Sequence, residues 1–129
     1  MADYRELLAT ATSILLIDWP SRDVPDTLAR YGYRVVASDG PRDDEFNAYV
    51  LVDGQVSVQP LDAQPVMVDI VYAHRPQAEL ERIVDRARAL NARAVWLQSG
   101  SPEAREIVER AGLMYFDSPY LPDAVREAL

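Results

Sequence analysis

Short apolar runs alternate with helix-periodic segments along almost the whole chain, and this alternation constrains the fold more than any single motif. Residues 3–11 place Tyr4, Leu7, Leu8 and Ala11 on one helical face. A buried strand follows at 13–18, then a short helix at about 24–31, with Pro25 in its first turn and Gly32 at its cap. A second strand runs from Arg34 to Ser38 and is stopped by Asp39-Gly40-Pro41. The run Val66-Met67-Val68-Asp69-Ile70-Val71-Tyr72 is almost wholly apolar, as in a central strand covered on both faces. Pro76 opens a helix whose stripe is Leu80, Ile83, Val84, Ala87 and Leu90. A further strand, Ala94-Val95-Trp96-Leu97, leads to Ser101 and Pro102, an N-cap and first helical residue. Ala104, Ile107, Val108 and Ala111 then face inward up to Gly112, before a short strand at 113–116 and a terminal helix at 121–128.

Strands joined by helices of this length give right-handed crossovers and a parallel sheet. The expected fold is therefore α/β: a Rossmann-like three-layer sandwich, with a mainly parallel sheet and helices on both faces. One segment departs from the pattern. Residues 48–52 and 55–58 flank Asp53-Gly54, a strong signal for a tight hairpin, which belongs near a sheet edge. No repeat or composition shift divides the 129 residues, so one domain spans 1–129, with a leading helix (1–12), a core (13–117) and a terminal helix (118–129).

Charge narrows the functional classes. The net charge is -8 and the chain contains no lysine and no cysteine. Such an acidic domain repels nucleic acid. Without lysine it has no Walker-type phosphate lysine and no Schiff base; without cysteine it has no thiol nucleophile, disulfide or thiolate metal site. No window approaches the roughly 18 apolar residues needed to span a membrane, and the start MADYRELLA lacks a basic n-region. The expectation is a cytoplasmic protein binding neither membrane nor nucleic acid.

If strand one is central, between strand two and the 66–72 strand, a crevice opens above the carboxyl ends where the connections diverge. Four segments reach it. The first turn supplies Trp19, Pro20, Ser21 and Arg22; strand two supplies Ser38 and Asp39; the central strand supplies His74, Arg75 and Pro76; the next supplies Gln98, Ser99 and Gly100. Ser21 and Arg22 offer a hydroxyl and a bidentate fork to an anion, whereas Asp18 and Asp23 oppose one. Equally, this loop reads as a rigid turn with solvated charges. Arg75 stands where a pyrophosphate or carboxylate would be met. His74 is the only histidine and lacks a nucleophile to activate, which favours a structural role. Gln98, Ser99 and Gly100 either contact a ligand or simply turn the chain and cap a helix. Asp39 occupies a ribose-acid position, yet before Gly-Pro it is usually a turn residue. The acidic run Asp43-Asp44-Glu45 reads as solvated surface rather than a cation site.

Residues 68–113 resemble the small stand-alone CoA-binding domain proteins, which are Rossmann-like and related to the nucleotide-binding domain of succinyl-CoA synthetase. The resemblance lies in the strand ending at Arg75-Pro76, the helix ending at Asn91-Ala92, the Trp96-x-Gln98-x-Gly100 element and Ala111-Gly112-Leu113. Weaker similarity at Tyr31-Gly32-Tyr33-Arg34-Val35-Val36 extends it over most of residues 13–117. It implies CoA or a related adenine nucleotide as ligand, bound without catalysis. The departures are local. The first loop is several residues shorter than the family's, with Asp18 at the position resembling a glycine and only Pro20-Ser21 resembling the loop's later part. Ser38-Asp39 replaces an Asn-Pro, and Asp117-Ser118-Pro119 replaces a cysteine-bearing end. The alternative is a degenerate Rossmann-like domain acting through protein contacts, as a homodimer or with another partner.

Overall fold

In the computed structural model, residues 3–38 and 45–129 are described. The chain runs α1 (Tyr4–Thr10), β1 (Ser13–Ile17), α2 (Asp23–Arg30), β2 (Arg34–Ala37), β3 (Phe46–Val52), β4 (Gln55–Leu61), β5 (Ile70–Ala73), a 3₁₀ turn (Gln77–Glu79), α3 (Leu80–Ala89), β6 (Ala94–Leu97), α4 (Pro102–Arg110), β7 (Met114–Phe116) and α5 (Leu121–Ala128). These strands form one sheet in the order β4-β3-β2-β1-β5-β6-β7. Strands β2, β1, β5, β6 and β7 are parallel, and the β3–β4 hairpin adds two antiparallel strands at one edge. The expected Rossmann-like α/β sandwich, with strand one central and the hairpin at an edge, is the observed one.

Alternation within each parallel strand divides the core in two. Ile14, Leu16, Val35, Ala37, Ile70, Tyr72, Ala94 and Trp96 point towards α1, α2 and α5. Their neighbours Leu15, Val36, Val71, Ala73, Val95 and Leu97 point towards α3 and α4. Continuous apolar runs at β1, β5 and β6 thus reflect burial on both faces, as in any sheet covered by crossover helices.

The hairpin turns at Asp53 (φ 51°) and Gly54 (φ 80°), with Val52 paired to Gln55. Two positive φ values are what a type I′ turn requires. It is longer than expected, with seven cross-strand pairs from Phe46–Leu61 to Val52–Gln55. Pro60 is accommodated because β4 is the outer strand, where a missing N–H breaks no ladder.

One strand boundary requires correction. The apolar run 66–72 is a strand only from Ile70, and Val66 and Met67 are 88% and 56% exposed. Asp69 accounts for the break. Its carboxylate accepts from the Thr12 and Ser13 amides (2.7 and 3.2 Å) and the Thr12 hydroxyl (3.1 Å), while its carbonyl accepts from the Arg93 amide (2.8 Å). The residue ties the starts of β1 and β6 together instead of extending β5.

This knot is pH-sensitive. Partial burial opposes the charge on Asp69, but the three hydrogen bonds and Arg93 outweigh it and lower its pKa from 3.8. A depressed carboxylate adds stability above its unfolded pKa, and that stability is lost as pH falls through the lower folded value. Asp69→Asn should therefore melt below wild type at neutral pH, and the gap should close below about pH 4. Thermal melts from pH 7 to pH 2.5 check this; a constant gap would show that the charge is not involved.

Candidate functional site

Chain connections diverge between β1 and β5: β1 leads through α2 to β2 on one side, and β5 leads through α3 to β6 on the other. A crevice of the kind that binds ligands in open α/β sheets lies outside the carboxyl ends at such a point. Ser21, Arg22, His74 and Ser99 are exposed there; Trp19, Arg75 and Gln98 are half-buried, and Ser38 is buried. Asp39 lies outside the described residues, as do Asp43 and Asp44 of the acidic run.

The first turn is built on Asp18, whose φ of 61° lies in the left-handed region. Aspartate tolerates this conformation because its short side chain bonds the local backbone, and here Oδ1 accepts from the Trp19 amide at 2.9 Å. Trp19 then packs edge-on against Tyr49, with ring centroids 5.9 Å apart. Pro20 is exposed, the Ser21 hydroxyl lies 3.2 Å from that of Tyr120, and Arg22 pairs with Asp26 one helical turn on. Asp23 is held by Arg126 at 2.6 Å. At the start of α2, both arginine–aspartate pairs are therefore internal.

Arg75 leaves β5 between two carboxylates. Its Nη1 donates to Asp18 Oδ2 at 3.1 Å, and its Nε and Nη2 both donate to Glu79 Oε2 at 2.9 and 2.5 Å. The bonds to Glu79 and then Asp18 raise its pKa further above the usual arginine value. The guanidinium expected to meet a pyrophosphate or carboxylate is thus bonded to two of the chain's own acids. Pro76 does not open the α-helix; it precedes the 3₁₀ turn, and α3 begins at Leu80.

The Trp-x-Gln-x-Gly element has a structural use that its pattern did not show. Trp96 Nε1 donates to the Pro119 carbonyl at 3.2 Å. The Gln98 side chain accepts from the Leu121 amide at 2.8 Å and donates to the Asp117 carbonyl at 3.4 Å. Gly100 sits where an added Cβ would meet Tyr115 Oη at 1.9 Å and Asp117 Cβ at 2.6 Å. All three therefore fasten residues 115–121 to the end of β6. Ser99 instead donates to the Arg75 carbonyl at 3.1 Å, joining two of the crevice loops. Ser101 caps α4 as expected, accepting from the Ala104 amide.

Sequence reasoning missed Glu79, Tyr72 and Tyr120. Glu79 stands four residues after Arg75, but the two are not on one helix, so helical spacing does not pair them. Tyr72 lies on β5, and its fully buried hydroxyl has no hydrogen-bond partner among the described residues. Burial, then the nearby Tyr120 and Asp18, push its pKa well above the ordinary phenol value. Between the end of β1 and α3 is a hollow of about 240 Å³ lined by Ile17, Glu79, Arg82, Ile83, Asp85 and Arg86.

Fold and crevice together define the chain as a Rossmann-like α/β domain with its open edge at the carboxyl ends of β1 and β5. The model of the CoA-binding domain matches residues 17–120, and the chain belongs to that family. It is similar to the structure of cell-free ID.343 from Thermus thermophilus, at 28% identity and a TM-score of 0.66, covering 98% of this chain and 96% of that one. It also resembles Prb, a protein redesigned for binding, at 22% identity and a TM-score of 0.59, covering 87% and 80% of the two chains. No curated protein matches the chain significantly. No helix among the described residues is long and apolar enough to cross a membrane.

Proposed function

We propose that the chain is a single-domain, non-enzymatic protein that binds CoA or a related adenine nucleotide across the carboxyl ends of β2, β1, β5 and β6. The observation that carries this reading is the family match, which spans every loop of the crevice from the end of β1 onward. Ser21, Arg22, His74, Arg75 and Ser99 are the crevice groups that would face the anionic part of the ligand. Trp19, Pro20, Ser38, Pro76, Gln98 and Gly100 would shape its walls, and Asp39, the next residue after Ser38 in the sequence, would be the candidate ribose contact. The hollow beside Ile17 and Ile83 suits an adenine, with an apolar surface for the ring and arginines nearby. A lone histidine without lysine or cysteine leaves no nucleophile–base set, which supports binding without turnover.

Thermal shift with millimolar CoA, dephospho-CoA, ATP and NAD tests the reading, with calorimetry on each responder. A ligand at about a hundred times its dissociation constant stabilises the fold by roughly 2.7 kcal/mol, on the order of 10 °C for a chain of this length. CoA is expected to give a response below that full value, because the short first loop offers few backbone amides. A second reading, a degenerate domain working through a protein partner, gains support from the internal pairing of Arg75 and Arg22. No shift and no heat with any of the four would favour it.

A further inference from the structure

We propose that Asp18 is a built-in competitor for the anion that Arg75 would otherwise take, so that a phosphate-bearing ligand must displace the chain's own carboxylate. This rests on reading the crevice as a nucleotide site. The geometry is specific. At φ 61° the Asp18 backbone turns the carboxylate across the mouth of the crevice, and its two oxygens divide the work. Oδ1 holds the turn through the Trp19 amide, while Oδ2 reaches the exit of β5 and accepts from Arg75 Nη1 at 3.1 Å. Glu79 takes Nε and Nη2 of the same guanidinium. Both carboxylates and the arginine are part-exposed, with side chains 50, 30 and 37% accessible, so the cluster sits at a rim an incoming ligand can reach.

The charge balance decides the consequence. One guanidinium between two carboxylates leaves a local charge of about -1, and a phosphate approaching it is repelled until one acid withdraws. Glu79 is four residues from Arg75 in the same connection and makes two bonds to it, so it is the firmer partner. Asp18 makes only one and lies across the crevice on another loop, so it is the partner that yields. The contact lowers affinity for every phosphate ligand and selects those with enough remaining contacts to repay the displacement.

Asp18→Asn separates charge from geometry. Asparagine tolerates the left-handed backbone and keeps an oxygen for the Trp19 amide, but it no longer neutralises Arg75. The probe is inorganic pyrophosphate, followed by thermal shift and calorimetry, with CoA as a parallel titrant. Asp18→Asn should bind pyrophosphate about tenfold or more tightly than wild type, the usual scale for one charge-assisted hydrogen bond. Asp18→Asn/Arg75→Ala should lose that gain, since the two residues act as a pair. Glu106→Gln on α4, an exposed partner of Arg110 outside the four crevice loops, makes the same change in net charge and should alter affinity less than twofold. An unchanged pyrophosphate affinity in Asp18→Asn, or a gain that survives Arg75→Ala, would overturn the proposal even if CoA binds both proteins. A gain for pyrophosphate with no CoA binding by any variant would support the proposal and remove CoA as the ligand.

Discussion

Gly100→Ala is expected to lower the melting temperature by on the order of 10 °C while leaving a folded protein. A methyl group at this position would lie 1.9 Å from Tyr115 Oη and 2.6 Å from Asp117 Cβ, far inside contact distance. Neither neighbour is free to retreat. The Tyr115 ring is buried, and its hydroxyl donates to Asp117 Oδ2 at 2.9 Å and accepts from the Ser101 amide at 3.2 Å. Burial, with Asp117, already pushes that phenol up to about 12, so at neutral pH it stays a donor. Overpacking a well-filled site costs about 1–3 kcal/mol, and disturbing one of the two hydrogen bonds adds roughly 1 kcal/mol, giving a loss of about 2–4 kcal/mol. At 129 residues this corresponds to the shift stated. Urea titration should show a lower midpoint at unchanged slope. Adding Tyr115→Phe removes the nearest clashing atom and should recover part of the loss. A decrease of less than about 0.5 kcal/mol would mean that the turn after β6 is loose.

Trp96→Ala is expected to cost more, about 3–5 kcal/mol, which is a large share of the 5–15 kcal/mol that holds a typical domain folded. Trp96 is fully buried in β6, its ring stacks on Phe116 at 5.0 Å, and Tyr4 of α1 meets it edge-on at 6.1 Å. Its Nε1–H···O bond to Pro119 anchors the entry to α5. Truncation therefore leaves a cavity between the sheet and α1 and loosens the terminal segment. Trp96→Phe keeps most of the ring volume but drops the N–H, and should cost about 1–2 kcal/mol. Circular dichroism melts rank the three proteins, and hydrogen exchange should locate the extra opening of Trp96→Ala in α1 and α5. If alanine costs no more than phenylalanine, the ring is not the keystone of that face.

These two positions show how differently fold and site were written into the chain. The Trp-x-Gln-x-Gly spacing was visible as a pattern and supported the family resemblance, yet its physical role depends on residues 115–121, which meet it only after folding. Gln98 was a candidate ligand contact because it follows a strand. Its side-chain oxygen accepts from the start of α5, a partner 23 residues away. Arg75 was legible as the exit of β5, but not its bond to Asp18, 57 residues earlier in the chain. Local rules cannot supply such pairings, because they arise where separate loops converge.

The sequence by itself determined the secondary-structure order, the turn at Asp53-Gly54, the capping of α4 by Ser101 and the parallel character of the sheet. Those features depend on periodicity, backbone propensity and the alternation of strands with connecting helices, all of which can be read along the chain. It also determined that no lysine or cysteine chemistry is available. Only the tertiary structure decided that Asp69 ends the apolar run by knotting β1 to β6, that Gly100 is required by the Tyr115 hydroxyl, and that the arginine at the crevice already holds two carboxylates. Each is a contact between residues distant in sequence, and its sign depends on which charges and volumes the fold brings within a few ångströms.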